Sequence, residues 1–167
     1  MKKSFQFFVL SLVILFTSTA FAQIPSSPRS REAIQRVGSQ LETELKTKNL
    51  VYGSAIFVRI FKEPKELEVW IKQENKFNHF KTYKICTYGS DGLGPKVKQG
   101  DGKAPEGFYI VSPKNMNPLS EFHLSFNLGY PNEYDRAHKR TGSALMIHGS
   151  CVSIGCYAMT DAGIEEI

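Results

Sequence analysis

The chain has 167 residues, 41% hydrophobic and 22% charged, with a formal net charge of +5. That length carries one domain with a real core, and the mild basicity suits an anionic polymer without indicating nucleic acid, because no long basic run or nucleic-acid motif occurs. Three cysteines are an odd count, which excludes a fully paired disulfide scaffold and leaves at least one thiol over.

The first 22 residues combine a basic start at Lys2 and Lys3, an apolar run over residues 7–16 and an Ala20-Phe21-Ala22 cleavage signature. They read as a cleavable signal peptide, and the run is too short for a comfortable membrane span. Removing 22 of 167 residues leaves 145, starting at Gln23, with the formal charge lowered from +5 to +3. Residues 23–54 read as a linker and an N-terminal helix, and 55–167 as the main domain. Within the former, Ile34, Val37, Leu41 and Leu45 share one face of a helix predicted over 31–48, with Ser30 as its N-cap.

The runs at 55–61 and 67–71 are rich in β-formers and joined by a polar, Pro-containing turn, so they predict a hairpin. A third strand is expected at 80–88, with Cys86 as a small buried hydrophobe. Residues 89–107 hold six glycines and two prolines and read as a long structured loop, the kind that is usually functional. A strand is expected at 108–111. Another is expected at 121–128, where Phe122, Leu124, Phe126 and Leu128 alternate onto one face. A short strand at 143–148 closes the series, and 161–167 reads as the start of a helix. The pattern predicts a mostly β fold with few short helices. The sequence stops inside that helix, so the chain is expected to be a fragment or to lack a C-terminal extension.

Residues 147–159, IHGSCVSIGCYAM, gather the reactive groups. A cysteine nucleophile needs a base for its proton, a pliant backbone and N–H groups aimed at a developing oxyanion. His148, Gly155 and the backbone around Cys156 supply candidates for each, with Ser153 orienting the turn. Two other readings stay open on spacing alone. His148, Cys151 and Cys156 are metal-ligand types, with His123 or His138 as a fourth donor. A Cys151–Cys156 disulfide would silence the nucleophile, although redox pairs favour closer spacing.

His148-Gly149 followed by Ser153-Ile154-Gly155-Cys156 resembles the signature of the L,D-transpeptidase, or YkuD-like, catalytic domain family. Lys103-Ala104-Pro105-Glu106-Gly107-Phe108-Tyr109-Ile110 is similar to a second family segment. Phe126 to Asn132, Tyr134 to His138 and Cys156 to Asp161 resemble the compact YafK-like branch of Gram-negative bacteria. The resemblance implies an L,D-transpeptidase-type β-sandwich in the periplasm, with Cys156 as nucleophile and His148 as general base. Gly149, Ser153 and Gly155 fall on the flanking motif and the oxyanion-hole backbone.

The implied substrates are peptidoglycan stem peptides, attacked through a thioester acyl-enzyme during cell-wall cross-linking or remodelling. No metal or organic cofactor is implied. The same chemistry run with water would make an amidase that releases peptidoglycan-attached lipoprotein, and a third reading is a non-catalytic wall-binding module. The chain departs from the family in three places. Only four residues separate His148 from Ser153, Ile154 stands where a His is usual, and Ala158 stands where an Arg is usual. Arg136, His138 and Arg140, beside Lys139, are the candidates to replace that Arg in binding substrate. Cys151 has no family counterpart, and Cys151→Ser is expected to leave activity largely intact.

Overall fold

The computed structural model describes residues 24–90 and 92–167, so the expected signal peptide lies outside the described residues. Helix α1 spans Pro28–Thr47. It begins three residues before the predicted start because Pro28 occupies the first turn and Ser27, not Ser30, is the N-cap. Ser27 and Ser30 satisfy each other's backbone N–H groups reciprocally. Ala33, Leu41 and Leu45 are buried along its inner face, while Ile34, expected there, is exposed.

Strands β1 (Ile56–Phe61), β2 (Glu66–Gln73) and β3 (Lys76–Lys84) form an antiparallel meander. In β2 the alternation is strict, with Leu67, Val69 and Ile71 buried. β3 is shifted towards the N-terminus of its predicted span. A tight turn at Glu74 and Asn75 lets Lys76 pair with Gln73, so the ladder recruits polar residues that an apolar-run reading discards. Past Lys84 the chain leaves β2 and runs to the second sheet.

That sheet has the order β4 (Met116–Asn117), β5 (Ser125–Asn127), β6 (Met146–His148) and β7 (Tyr157–Ala158). β4, β5 and β6 pair antiparallel, and β6 with β7 parallel. Helices α2 (Glu133–Ala137) and α3 (Asp161–Glu166) complete the described part, α3 packing on α1. One core joins both sheets to α1, with Leu67, Phe80 and Tyr83 from the meander, Ile147 and Tyr157 from the second sheet, and Leu41 and Leu45 from the helix. The architecture is therefore two sheets with few helices, the mostly β class expected.

Two predicted strands are different. Residues 108–111 are loop, with Phe108 and Ile110 about nine-tenths exposed; no strand pairs with them among the described residues, and β-propensity without a ladder partner makes no strand. The strand expected over 121–128 shrinks to β5. His123 adopts a left-handed φ of 66° and interrupts the alternation, leaving Phe122 off the ladder.

Candidate active site

Cys86 is not a buried hydrophobe. It forms a disulfide with Cys151, 65 residues away and with a Cα–Cα distance of 5.2 Å. The pairing follows from the chain path after β3, where the Cys86 N–H donates to Ala158 C=O and Thr87 bridges Ala158, bringing this segment alongside β7. Cys151 is brought to the same place by its own N–H, which donates to Met159 C=O. The bridge overturns both alternatives for Cys151: it is neither a partner for Cys156 nor an available metal ligand. Cys156 is the free cysteine.

His148 ends β6 and is buried. The register pairs Ile147 with Tyr157 and His148 with Ala158 in parallel strands. Cys156 immediately precedes Tyr157, the first residue of β7, at the edge of the strand that pairs with β6. The Cys156 sulfur lies against the β6 backbone: it accepts the Met146 N–H at 3.4 Å, and the thiol faces Ala144 C=O at 3.7 Å. Burial pushes the Cys156 thiol pKa up, while the Met146 N–H and the Lys96 ammonium pull it the other way. An N–H on the sulfur favours thiolate, the reactive form.

His148 Nδ1 lies 2.6 Å from Gly149 C=O. A carbonyl can only accept, so the proton sits on Nδ1 and Nε2 keeps the lone pair needed by a base. Gly149 has a steric reason to be glycine. A Cβ there would stand 2.6 Å from Asp161 Oδ1 and 3.1 Å from Phe122 C=O. Those atoms hold the turn, Phe122 C=O accepting the Gly149 N–H at 3.0 Å and Asp161 Oδ1 the Ser150 N–H at 2.7 Å.

The turn before Cys156 is braced by Ser153, whose hydroxyl donates to Cys156 C=O at 2.7 Å and accepts the Gly155 N–H at 3.0 Å. Gly155 therefore spends its N–H inside the turn. Its contribution is conformational: φ is +158°, and a Cβ would press on Lys103 C=O at 3.3 Å.

A cleft of about 670 Å³ reaches Ala144 and Met146, the two residues whose backbone touches the sulfur. Its lining includes Lys114, Arg136, Asn115, Asn117, Asn127 and Ser143, and no acidic residue. Of the three predicted substrate-binding candidates, only Arg136 lines it. Arg140 is committed to the buried Asp135 carboxylate at 2.8 Å. His138 turns back on its own helix, with Nδ1 on Tyr134 C=O at 2.9 Å and its ring against Tyr134. Lys114 escaped the sequence reading because its neighbours carry no catalytic pattern; its place in the cleft comes from the 3-10 turn at Pro113–Asn115.

The 89–107 loop carries a buried ion pair, Lys96 with Asp101 at 2.7 Å. Burial alone would raise the Asp101 pKa; the ammonium and the Lys98, Val97 and Lys103 N–H groups outweigh it and hold the carboxyl well below its usual range. A larger apolar groove of about 1110 Å³ runs between α1, β1 and the 105–111 loop, and neither His148 nor Cys156 is on the lining of the groove or of the cleft.

A sequence profile of the L,D-transpeptidase catalytic domain, YkuD, matches residues 56–167, the span that contains this sheet, cleft and free thiol. The chain belongs to the L,D-transpeptidase catalytic domain family. It is 51% identical over 120 residues to "Putative L,D-transpeptidase YafK" of Escherichia coli K12, and equally to that of strain O157:H7. The match covers 72% of this chain and 48% of each relative, so the chain spans about half the length of the curated relatives it matches. Among solved structures, a variant of the helical cell shape determining protein Pgp2 from Campylobacter jejuni superposes with a TM-score of 0.58 at 25% identity, covering 84% of this chain and 51% of that one. Pgp2 without that change gives 0.55 at 24% identity, over 76% and 50% of the two chains. Both superpositions show a shared fold.

Proposed function

We propose that this chain is a periplasmic cysteine acyltransferase that cuts and rejoins peptidoglycan stem peptides. The observation that carries the reading is the single free thiol, Cys156, seated on the N–H of Met146, a residue that lines a cleft with two cations and no acid. In this reading His148 Nε2 takes the Cys156 proton and the thiolate attacks the carbonyl of the third stem residue, a diamino acid. The imidazolium then returns the proton to the leaving amine of the terminal D-Ala, and a thioester remains. An acceptor amine attacks the thioester, restores the thiol and forms a new amide, a 3→3 cross-link or a bond to a lipoprotein lysine. Lys114 and Arg136 pair with the carboxylates of the incoming peptide, in place of the Arg absent at position 158. Support for the wall as substrate comes from family membership and from the mild positive charge.

The test is incubation with purified muropeptides, followed by mass analysis of the products for the protein and for Cys156→Ala. Release of D-Ala together with new cross-links is the expected result, and cleavage without a new bond assigns the hydrolytic form of the chemistry. Identical products from Cys156→Ala overturn the nucleophile assignment, and binding without any product assigns a wall-binding module.

A further inference from the structure

We infer that Phe122 and His123, held by Glu165, form a clamp that positions the His148 imidazole; this rests on the reading of His148 as the base for Cys156. The Phe122 ring lies against the imidazole, with centroids 4.7 Å apart and planes 36° from each other. Phe122 C=O accepts the Gly149 N–H, and Gly149 C=O in turn accepts the proton of His148 Nδ1. One residue thus covers the ring and holds the N–H of Gly149, the residue whose carbonyl sets its tautomer. An unpositioned imidazole would lose the alignment on which proton transfer depends.

The clamp needs a backbone conformation that its sequence does not favour. His123 is a non-glycine residue at a left-handed φ of 66°, and such residues persist where their surroundings over-determine them. Here the surroundings do so from both sides. His123 Nε2–H donates to Glu165 Oε1 at 2.7 Å, and its C=O accepts from the Arg29 guanidinium at 2.6 Å. Glu165 is itself fixed by two hydrogen bonds from Arg36, at 2.6 and 3.1 Å, and Asp161 stands 4.0 Å from His123 Nδ1. Helices α1 and α3 therefore reach the active site through one turn. With the alternation of an ordinary strand, Phe122 would not meet His148. The residues that bend the chain here are positioning residues, since none of them touches the reacting atoms.

The experiment measures the alkylation rate of Cys156 by iodoacetamide across pH, a readout that needs no peptide substrate, alongside kcat and KM for D-Ala release. It compares the intact protein with His148→Ala, Phe122→Leu, His123→Ala and His123→Gln, each checked for an unchanged melting transition. Phe122→Leu keeps the apolar fill and removes the ring, so it reports on the clamp even where His123→Ala does not fold. The expected result is slow alkylation at neutral pH in His148→Ala. Phe122→Leu and His123→Ala should each slow alkylation and lower kcat by about tenfold at near-constant KM, and His123→Gln should recover most of the loss. Wild-type alkylation and kcat in Phe122→Leu and His123→Ala, with His148→Ala slow, overturn the clamp and leave the Cys156–His148 pair standing. Wild-type alkylation in His148→Ala overturns both.

Discussion

Strands of the meander run six to nine residues and pair along their length, whereas those of the second sheet run two or three. The meander is held by its own register and by alternating Leu67, Val69 and Ile71 in the core. The second sheet is held from outside, by the Cys86–Cys151 bridge, the Lys96–Asp101 and Arg140–Asp135 pairs and the turn at Phe122 and His123. Short strands leave their side chains close to loops, which is where a nucleophile, a base and a cleft can converge. The regular sheet supplies stability, and the irregular one supplies geometry at the expense of needing many distant supports.

This division can be broken from the meander side first. Leu67 is fully buried, so Leu67→Ala should cost about 2–5 kcal/mol in urea unfolding while leaving turnover per folded molecule unchanged. Lost turnover in the folded fraction would show that the two sheets are not separable in function.

Replacing both Cys86 and Cys151 by Ser should lower stability by about 2–4 kcal/mol, because the bridge closes a long loop in the unfolded chain. Cys151→Ser alone, expected from the sequence to leave activity largely intact, also unpairs Cys86 and should lower the melting temperature similarly. Thermal melts with and without reductant decide this, and equal melts would mean that the bridge contributes nothing.

Gly149→Ala acts on geometry more than on stability. The added methyl displaces Asp161 or Phe122 and with them the Gly149 carbonyl, so kcat should fall about 100-fold with a smaller shift in unfolding midpoint. A kinetic assay beside a urea titration separates the two.

The smallest effect is acid sensitivity. Asp101 and Asp135 both titrate below the usual carboxylate range in the folded chain; burial opposes this, and Lys96, Arg140 and backbone N–H groups outweigh it. Their contribution is full above the ordinary Asp value of about 3.9 and is lost as pH falls through the lower folded values. In the meander Glu68 is also lowered, chiefly by the Trp70 indole N–H, but its pair with Arg59 is screened by solvent. Hydrogen exchange from about pH 5 to about pH 2 should therefore lose protection around 96–101 and 132–140 before the meander. The reverse order would contradict the assignment of supports.

By itself the sequence determined the mostly β class, the hairpin from β1 to β2, the loop at 89–107, and the grouping of His148, Ser153, Gly155 and Cys156. These follow from period-two hydrophobicity, turn chemistry and residue types that sit close along the chain, all of which are local. An odd cysteine count also required a spare thiol. Tertiary structure alone decided which thiol that is, because Cys86 and Cys151 meet only once the segment after β3 lies beside β7. It likewise decided that Arg136 and Lys114 line the cleft while Arg140 serves Asp135, and that Phe122 leaves its apparent strand to cover His148. Each depends on a partner many residues away, and no spacing within one segment encodes where such a partner will stand.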